Sequence, residues 1–374
     1  MIKLLSLFPL HCNNTAVSHI FLSVCGPWQT NALTAQMLVP SCSPQCRQPS
    51  LMEAIPPLLQ RFYYRFPQAP RRRTDRYFLK HFQAYDAVYL WPGTSLEVTQ
   101  QVKASGKPIF LERFNCFQGK AKVILDELYA RIDREPQHPI TAASIHHERS
   151  ELALADYIFC PSPEVKRSLL EIGIAEQKLI SSSYGWEPDR FRAARLERVE
   201  PEDFTVLFVG SICMRKGAHV LLRVWEKAAI SGRLILCGDM ESAIAQSCAS
   251  ILKREDVQHV PFTPDVSRLY ARASVFAFPS FEEGSPLVTY EAMAHGLPIL
   301  TSPMGSAGVV RHGMDGFILP PDDDDAWVEA LRTFAHHAGE RTRLGTSARK
   351  QVQEYTWEKV SARRAAQIVE RVKP

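Results

Sequence analysis

Two carboxylates eight positions apart, Glu283 and Glu291, and two adjacent cations, Arg215 and Lys216, are the residues of this chain best suited to work on a polar, anionic ligand. An ionised carboxylate only accepts hydrogen bonds, which suits it to the hydroxyls of a sugar or a ribose. Fixed cations suit the complementary task of holding a diphosphate and stabilising the charge that develops on it as it leaves. The cations end the segment FTVLFVGSICMRKG (204–217), and the acids lie in SVFAFPSFEEGSPLVTYEAMAHG (274–296).

Each segment reads as strand, loop and helix. In the first, a strand ends at Gly210, and a helix starts near Gly217, so Ser211, Arg215 and Lys216 fall in the loop at a helix N-terminus, where unpaired amides and the dipole favour an anion. Taken alone, the Arg-Lys pair reads equally as a solvent-exposed turn. In the second, a buried strand runs into a loop holding Glu283, Gly284 and Ser285. Pro286 suits the first helical position, Leu287 follows it, Glu291 lies within the helix, and Gly296 ends it. Bare backbone at Gly284 and Ser285 offers amides to a phosphate.

The elements that must carry these loops repeat along the chain. Strands are predicted at Ala87–Trp91, Pro108–Leu111, Tyr157–Cys160, Thr205–Val209, Arg233–Cys237, Val275–Phe278 and Pro298–Thr301. A first strand begins within the N-terminal apolar run, which Pro9 and His11-Cys12-Asn13-Asn14 end too early for a signal peptide. Helical patterns at Pro163–Glu171, Ala218–Lys227, Pro286–His295 and Asp323–His336 alternate with the strands, the sign of parallel sheets covered on both faces. Asp189–Asp203 breaks the rhythm and reads as a linker between two doubly wound halves. At 374 residues the chain has room for two such domains. No run approaches the roughly 18 apolar residues of a spanning helix. Neither a G-x-G-x-x-G fingerprint nor a Gly-Lys-Ser/Thr P-loop is present, which argues against dehydrogenases and P-loop NTPases. Nine scattered cysteines, an odd number, point to free thiols in a reducing compartment, and Cys42 with Cys46 lacks a second pair for zinc.

The E-x7-E pair within F-x-F-P-S…E-G…E-A-M-A-x-G-x-P-I resembles the donor-site signature of family 4 glycosyltransferases. The likeness extends through F-V-G-x5-K-G (208–217), Gly238-Asp239, DGFILP (315–320) and YTWE (355–358). In the first half it reaches ELALADYIFCPS (151–162) and Tyr184-Gly185-Trp186…Phe191. It is strong from about residue 145 onward and weak over the first 140 residues. The resemblance implies the GT-B fold, α/β with two Rossmann-like parallel-sheet domains facing a cleft: an acceptor domain over 1–197, a donor domain over 198–355, and a terminal helix over 356–374 packing back toward the first. It implies a retaining, metal-independent hexosyl transfer from a nucleotide-diphosphate sugar to a glycan or lipid-linked acceptor, with no cofactor beyond that co-substrate. Glu283 would then meet the donor sugar and Glu291 the ribose, while Lys216 and the amides of Gly284–Leu287 hold the diphosphate, with Gly210 and Ser211 also among the donor-binding residues.

Two positions depart from the pattern. Ser211 stands where the family commonly has Arg, leaving Arg215 as the candidate second cation. Phe117 stands where an acceptor-side His is common, so Asn115, His146 and His147 become the acceptor-side candidates. A same-fold nucleotide-sugar epimerase and an inactive sugar-nucleotide-binding or basic-surface module remain open alternatives. Asp322–Asp325 reads as a helix cap with dipole-compensating acids rather than a metal cluster.

The whole-chain charge, 44 Lys+Arg against 40 Asp+Glu, is nearly balanced, but it is unevenly placed. Arg61–Phe82 holds seven Lys/Arg against Asp75, interleaved with seven aromatics. Such a mixture suits an anionic membrane surface, and nucleic acid less well; equally, its aromatics can pack on the N-terminal half with the cations outside. The expected location is the cytoplasm, with this segment able to seat at the inner face of a membrane.

Overall fold

The computed structural model describes residues 1–190 and 201–372. Most of the expected linker, the 197/198 boundary and Phe191 therefore lie outside the described residues. Among the described residues, thirteen strands form two sheets. The first contains β1 (Ile2–Leu7), β2 (Leu33–Val39), β3 (Leu51–Glu53), β4 (Ala87–Leu90), β5 (Ile109–Glu112), β6 (Tyr157–Cys160) and β7 (Leu179–Ser181). The second contains β8 (Thr205–Val209), β9 (Arg233–Cys237), β10 (Val257–Val260), β11 (Val275–Phe278), β12 (Ile299–Thr301) and β13 (Gly316–Ile318). The orders are β3-β2-β1-β4-β5-β6-β7 and β10-β9-β8-β11-β12-β13. Every ladder between these strands is parallel.

The central strands are continuous apolar runs because helices cover both faces. Residues 275–278 of β11 and 87–90 of β4 are wholly buried. Helix Ala218–Ala228 turns Leu221, Leu222, Val224 and Trp225 into the core, where each is worth about 1.5–3 kcal/mol of burial. All nine cysteines are free thiols and all but Cys213 are buried. Helix Asp324–His336 is capped by Asp323, whose carboxylate accepts the Ala326 amide (3.1 Å), while Asp324 forms a bidentate pair with Arg223 (2.7 and 2.6 Å).

The helix Trp357–Val372, last in the chain, packs on Ala16–Cys25 near its start. Trp28 Nε1 donates to the Ser361 carbonyl (3.0 Å) and the Ser361 hydroxyl to the Val24 carbonyl (2.7 Å). Deeper in, Arg364 Nη1 meets Glu112 Oε2 (2.5 Å) and Tyr89 Oη (3.1 Å), while Tyr184 Oη donates to Glu112 Oε1 (3.0 Å). The motifs around Tyr184 and Tyr355 meet here. Trp186 N donates to the Tyr355 carbonyl (3.0 Å), Trp357 N donates to the Trp186 carbonyl (3.2 Å), and Gly185 leaves room for this contact, since a Cβ there would lie 2.6 Å from the Tyr355 oxygen.

Candidate active site

Strand order reverses at β1 and at β8, and parallel sheets place their ligand crevices at the carboxyl ends beside such reversals. The loops after β8 (210–217) and β11 (279–286) leave the second sheet side by side there. Gly217, with φ +72°, sits against Pro279, whose carbonyl oxygen would be 2.0 Å from any Cβ. Gly210, with φ +130°, leaves space for the Lys216 amine, which would lie 3.0 Å from its Cβ. Both positions therefore require glycine.

These two loops bring the charged residues together. Arg215 Nη1 donates to Glu283 Oε1 (3.0 Å), to Glu282 Oε2 (3.2 Å) and to the Glu282 carbonyl (2.9 Å). Lys216 Nζ lies 3.4 Å from Glu283 Oε1 and 5.5 Å from the centroid of the Phe278 ring. Burial alone would raise the Glu283 carboxyl, but Lys216 and Arg215 outweigh it and hold the group below its ordinary value. Burial raises Glu282, with Arg215 opposing and Glu283 adding to the effect. Burial likewise raises Glu291, opposed by Arg190, by the Tyr270 hydroxyl that donates to Glu291 Oε2 (3.0 Å), and by Lys216. Lys216 thus favours the ionised form of both carboxylates and lies within their electrostatic reach. Arg215 is committed to the two acids, so it acts as the strut that fixes Glu283, while Lys216 is the less engaged cation.

Helix Leu287–Ala294 begins one residue later than expected, with Pro286 as its N-cap. Among the described residues, no group pairs with the amides of Gly284, Ser285 and Leu287. The Ser285 hydroxyl is turned inward to Tyr290 Oη (2.8 Å), which itself accepts the Tyr184 amide (3.2 Å), so Ser285 can offer a ligand only its backbone. Ser211 is exposed. Glu291 and Leu287 line a narrow crevice with His19, Trp186, Arg190 and Trp357. Gly284 touches the other half of the molecule, and a Cβ there would fall 1.5 Å from the Phe114 carbonyl oxygen.

Across the cleft lie two cavities that share Asn115, Cys116 and Gln118. One, of about 610 Å³, is also lined by Arg215 and Glu282; the other, of about 410 Å³, by Arg71, Arg113, His147 and Glu151. Asn115 thus stands at their junction. His147 faces the second cavity, its Nε2 3.6 Å from Glu151 Oε1. His146, the neighbouring candidate, is placed differently. It is exposed and lines neither cavity, because successive positions on helix Ala142–Leu154 point about 100° apart. Phe117 is buried beneath the Arg149 guanidinium (4.8 Å to the ring centroid).

Glu282, Tyr270, Glu241 and Cys116 join the site although their positions in the sequence do not mark them as a group. Glu241 Oε2 accepts the Met214 amide (3.0 Å), bracing the cation loop, and its other oxygen meets Tyr129 of the first half. Cys116 Sγ lies 3.4 Å from Glu282 Oε1, a second contact across the cleft. Only Glu282 carried a signal, its adjacency to Glu283.

Residues 203–337 match the family model "Glycosyl transferases group 1". The chain is 30% identical over 251 residues to a D-inositol 3-phosphate glycosyltransferase of Streptomyces avermitilis, which covers 60% of this chain and 54% of that protein. It is 28% identical over 228 residues to the sulfoquinovosyl transferase SQD2 of Arabidopsis thaliana, covering 54% and 42%. The chain spans about half the length of the curated relatives it matches. Among solved structures, HepE of Anabaena in complex with UDP superposes with a TM-score of 0.73 at 14% identity, covering 99% of this chain and 100% of that one. WaaG, a glycosyltransferase involved in lipopolysaccharide biosynthesis, superposes at 0.67 and 14% identity, covering 98% and 99%. These likenesses establish the two-domain GT-B fold.

Proposed function

We propose, from the match of residues 203–337 to the family model "Glycosyl transferases group 1", that the protein moves a hexosyl group from a nucleotide-diphosphate sugar to a glycan or lipid-linked acceptor with retention of configuration. The observation that carries this reading is Lys216 Nζ lying 3.4 Å from Glu283 in one loop pair, together with the amides of Gly284, Ser285 and Leu287, which no group among the described residues engages. That array matches a donor point by point: carboxylates for the hydroxyls of sugar and ribose, and a cation with amides for the diphosphate between them.

In the proposed reaction the bond from the anomeric carbon to the diphosphate oxygen breaks, and Lys216 and the amides stabilise the charge left on that oxygen. The diphosphate takes the proton of the acceptor hydroxyl as the new bond forms on the same face of the sugar. Fixed cations and amides take the place of a metal ion on the leaving group in this reaction. The acceptor enters through the cavities at Asn115, where His147 can position its hydroxyl. Among the described residues no helix is long and apolar enough to cross a membrane. In this role the protein works on the cytoplasmic side, with its exposed cations and aromatics toward the inner face of a membrane.

Incubation with a panel of nucleotide sugars, scoring free nucleotide, tests the activity. Glu291→Ala tests the site: losing a charge-assisted contact worth about 1.5–3 kcal/mol should weaken UDP binding roughly 10–150-fold. Unchanged affinity would remove Glu291 from the donor site.

A further inference from the structure

The basic aromatic segment divides in two. In its second part, Phe78 and Phe82 stack in the core (ring centroids 5.8 Å apart), with Pro70 and Thr74 also buried. In the first part the apolar residues face solvent. Helical turns Pro57–Leu59 and Gln60–Tyr63, with the bend that follows them, expose Leu58 (97%), Leu59, Phe62 (63%), Tyr64 and Phe66 (51%) within nine residues. Leu58, Phe62 and Phe66 lie four positions apart along these successive turns, and the Phe62 and Phe66 ring centroids are 5.8 Å apart. Arg61, Arg65, Arg71, Arg72, Arg73 and Arg76 are all exposed alongside. A protein rarely leaves so dense an apolar group in water unless something covers it.

We infer that the turn at 57–66 is an interfacial anchor that seats on an anionic lipid surface, and that it delivers a membrane-held, anion-bearing acceptor to the cavity at Arg71. Charge selects the occupant. A second copy would bring the same excess of cations and be repelled, whereas an anionic bilayer is complementary. The apex favours lipid over a nucleic-acid strand, since Leu58 and Leu59 offer insertion and no stacking plane. Arg71 joins this surface to the site because it is exposed beside the anchor and also lines the 410 Å³ cavity with Arg113 and His147. A second link runs through hydrogen bonds: Tyr64 Oη to Ser41 Oγ (2.6 Å), then Ser41 Oγ to His11 Nδ1 (2.8 Å), in the loop that leaves β1 toward the cleft.

The delivery step rests on the glycosyltransferase reading; the anchor does not. The test sediments the full chain with phosphatidylglycerol/phosphatidylcholine vesicles and with pure phosphatidylcholine, in low and high salt, and measures UDP affinity in parallel. The expected result is binding at least tenfold stronger to the anionic vesicles, fading in high salt. Leu58→Ser/Phe62→Ser should abolish it while leaving UDP affinity intact. Arg71→Gln should keep most vesicle binding but weaken retention of octyl phosphate at least tenfold. Equal binding to both vesicles, an unaffected double variant, a concentration-dependent dimer lost in that variant, or a preference for single-stranded RNA over vesicles each overturns the anchor. Unchanged octyl phosphate retention in Arg71→Gln overturns the delivery step. Vesicle binding without any UDP binding would leave the anchor standing, and sink the enzyme reading and delivery with it.

Discussion

Gly284→Ala isolates the contact between the halves of the molecule. The backbone of Gly284 has no unusual φ, so alanine there is not strained locally; the obstacle is the Phe114 carbonyl oxygen, 1.5 Å from the ideal Cβ position. Real Cβ atoms essentially never approach another heavy atom closer than 3.0 Å, and both partners here are backbone. The loop and Phe114 must therefore separate by about 1.5 Å, the difference between those distances. A misplacement of about 1 Å in a reacting geometry can slow a reaction on the order of 10²-fold, equivalent to about 2.7 kcal/mol in the barrier. Acceptor-dependent nucleotide release should consequently fall at least that far. In the proposed donor site UDP is also held by Glu291 and Lys216, which lie outside the displaced loop segment, so UDP affinity should fall less than turnover does. Gly339→Ala serves as the control, because its Cβ meets nothing within 4 Å in helix Ala338–Val352, where alanine adds about 0.5–1 kcal/mol of stability. A Gly284→Ala protein with the control's turnover would refute the claim that transfer requires this closed contact.

The buried pair behind the site makes a separate prediction. Arg364→Met strands the Glu112 carboxylate in the core, which should cost about 3–5 kcal/mol in urea unfolding, and adding Glu112→Gln should restore part of it. A loss below about 1 kcal/mol in the single variant would refute that account. The Asp324 carboxyl is lowered to about 2, first by its hydrogen bonds to Arg223. A depressed carboxylate stabilises the fold above its unfolded pKa, and that stability fades as pH falls toward about 2. With Arg223 and Lys227 nearly half exposed, solvent screening limits the effect to about 1 kcal/mol. Asp324→Asn should therefore be less stable than the parent at pH 7 and indistinguishable from it at the acid end, as followed by thermal melts across pH.

The donor side was legible because its chemistry is local. Arg215 and Lys216 share one loop, Glu283 and Glu291 share one loop and helix, and the strands before them are apolar runs without interruption. β3 (LME), β7 (LIS) and β10 (VQHV) lie at sheet edges and are short or polar, so they leave no such run. Contacts of long sequence separation left no trace either. Nothing near Glu112 announces Arg364, 252 positions away, and nothing near Gly284 announces Phe114. The choice between His146 and His147 required the phase of their helix, which its weakly amphipathic sequence does not set. In Arg61–Phe82 the composition was plain, but only packing could separate the stacked Phe78 and Phe82 from the exposed Phe62 and Phe66.

The paired backbone at Trp186 and Thr356 has a mechanical consequence. The chain passes between the sheets twice, after β7 and again before helix Trp357–Val372, and hydrogen bonds on both sides of Trp186 fasten the two crossings together. Two fastened strands resist shear and torsion but bend readily about the line they share. The relative freedom of the halves is thereby reduced from the six coordinates of unconnected bodies toward a single opening angle. The approach of the Gly284 loop to the Phe114 oxygen is thereby tied to a single registry across the cleft, set by the fastened crossings rather than by the contact itself.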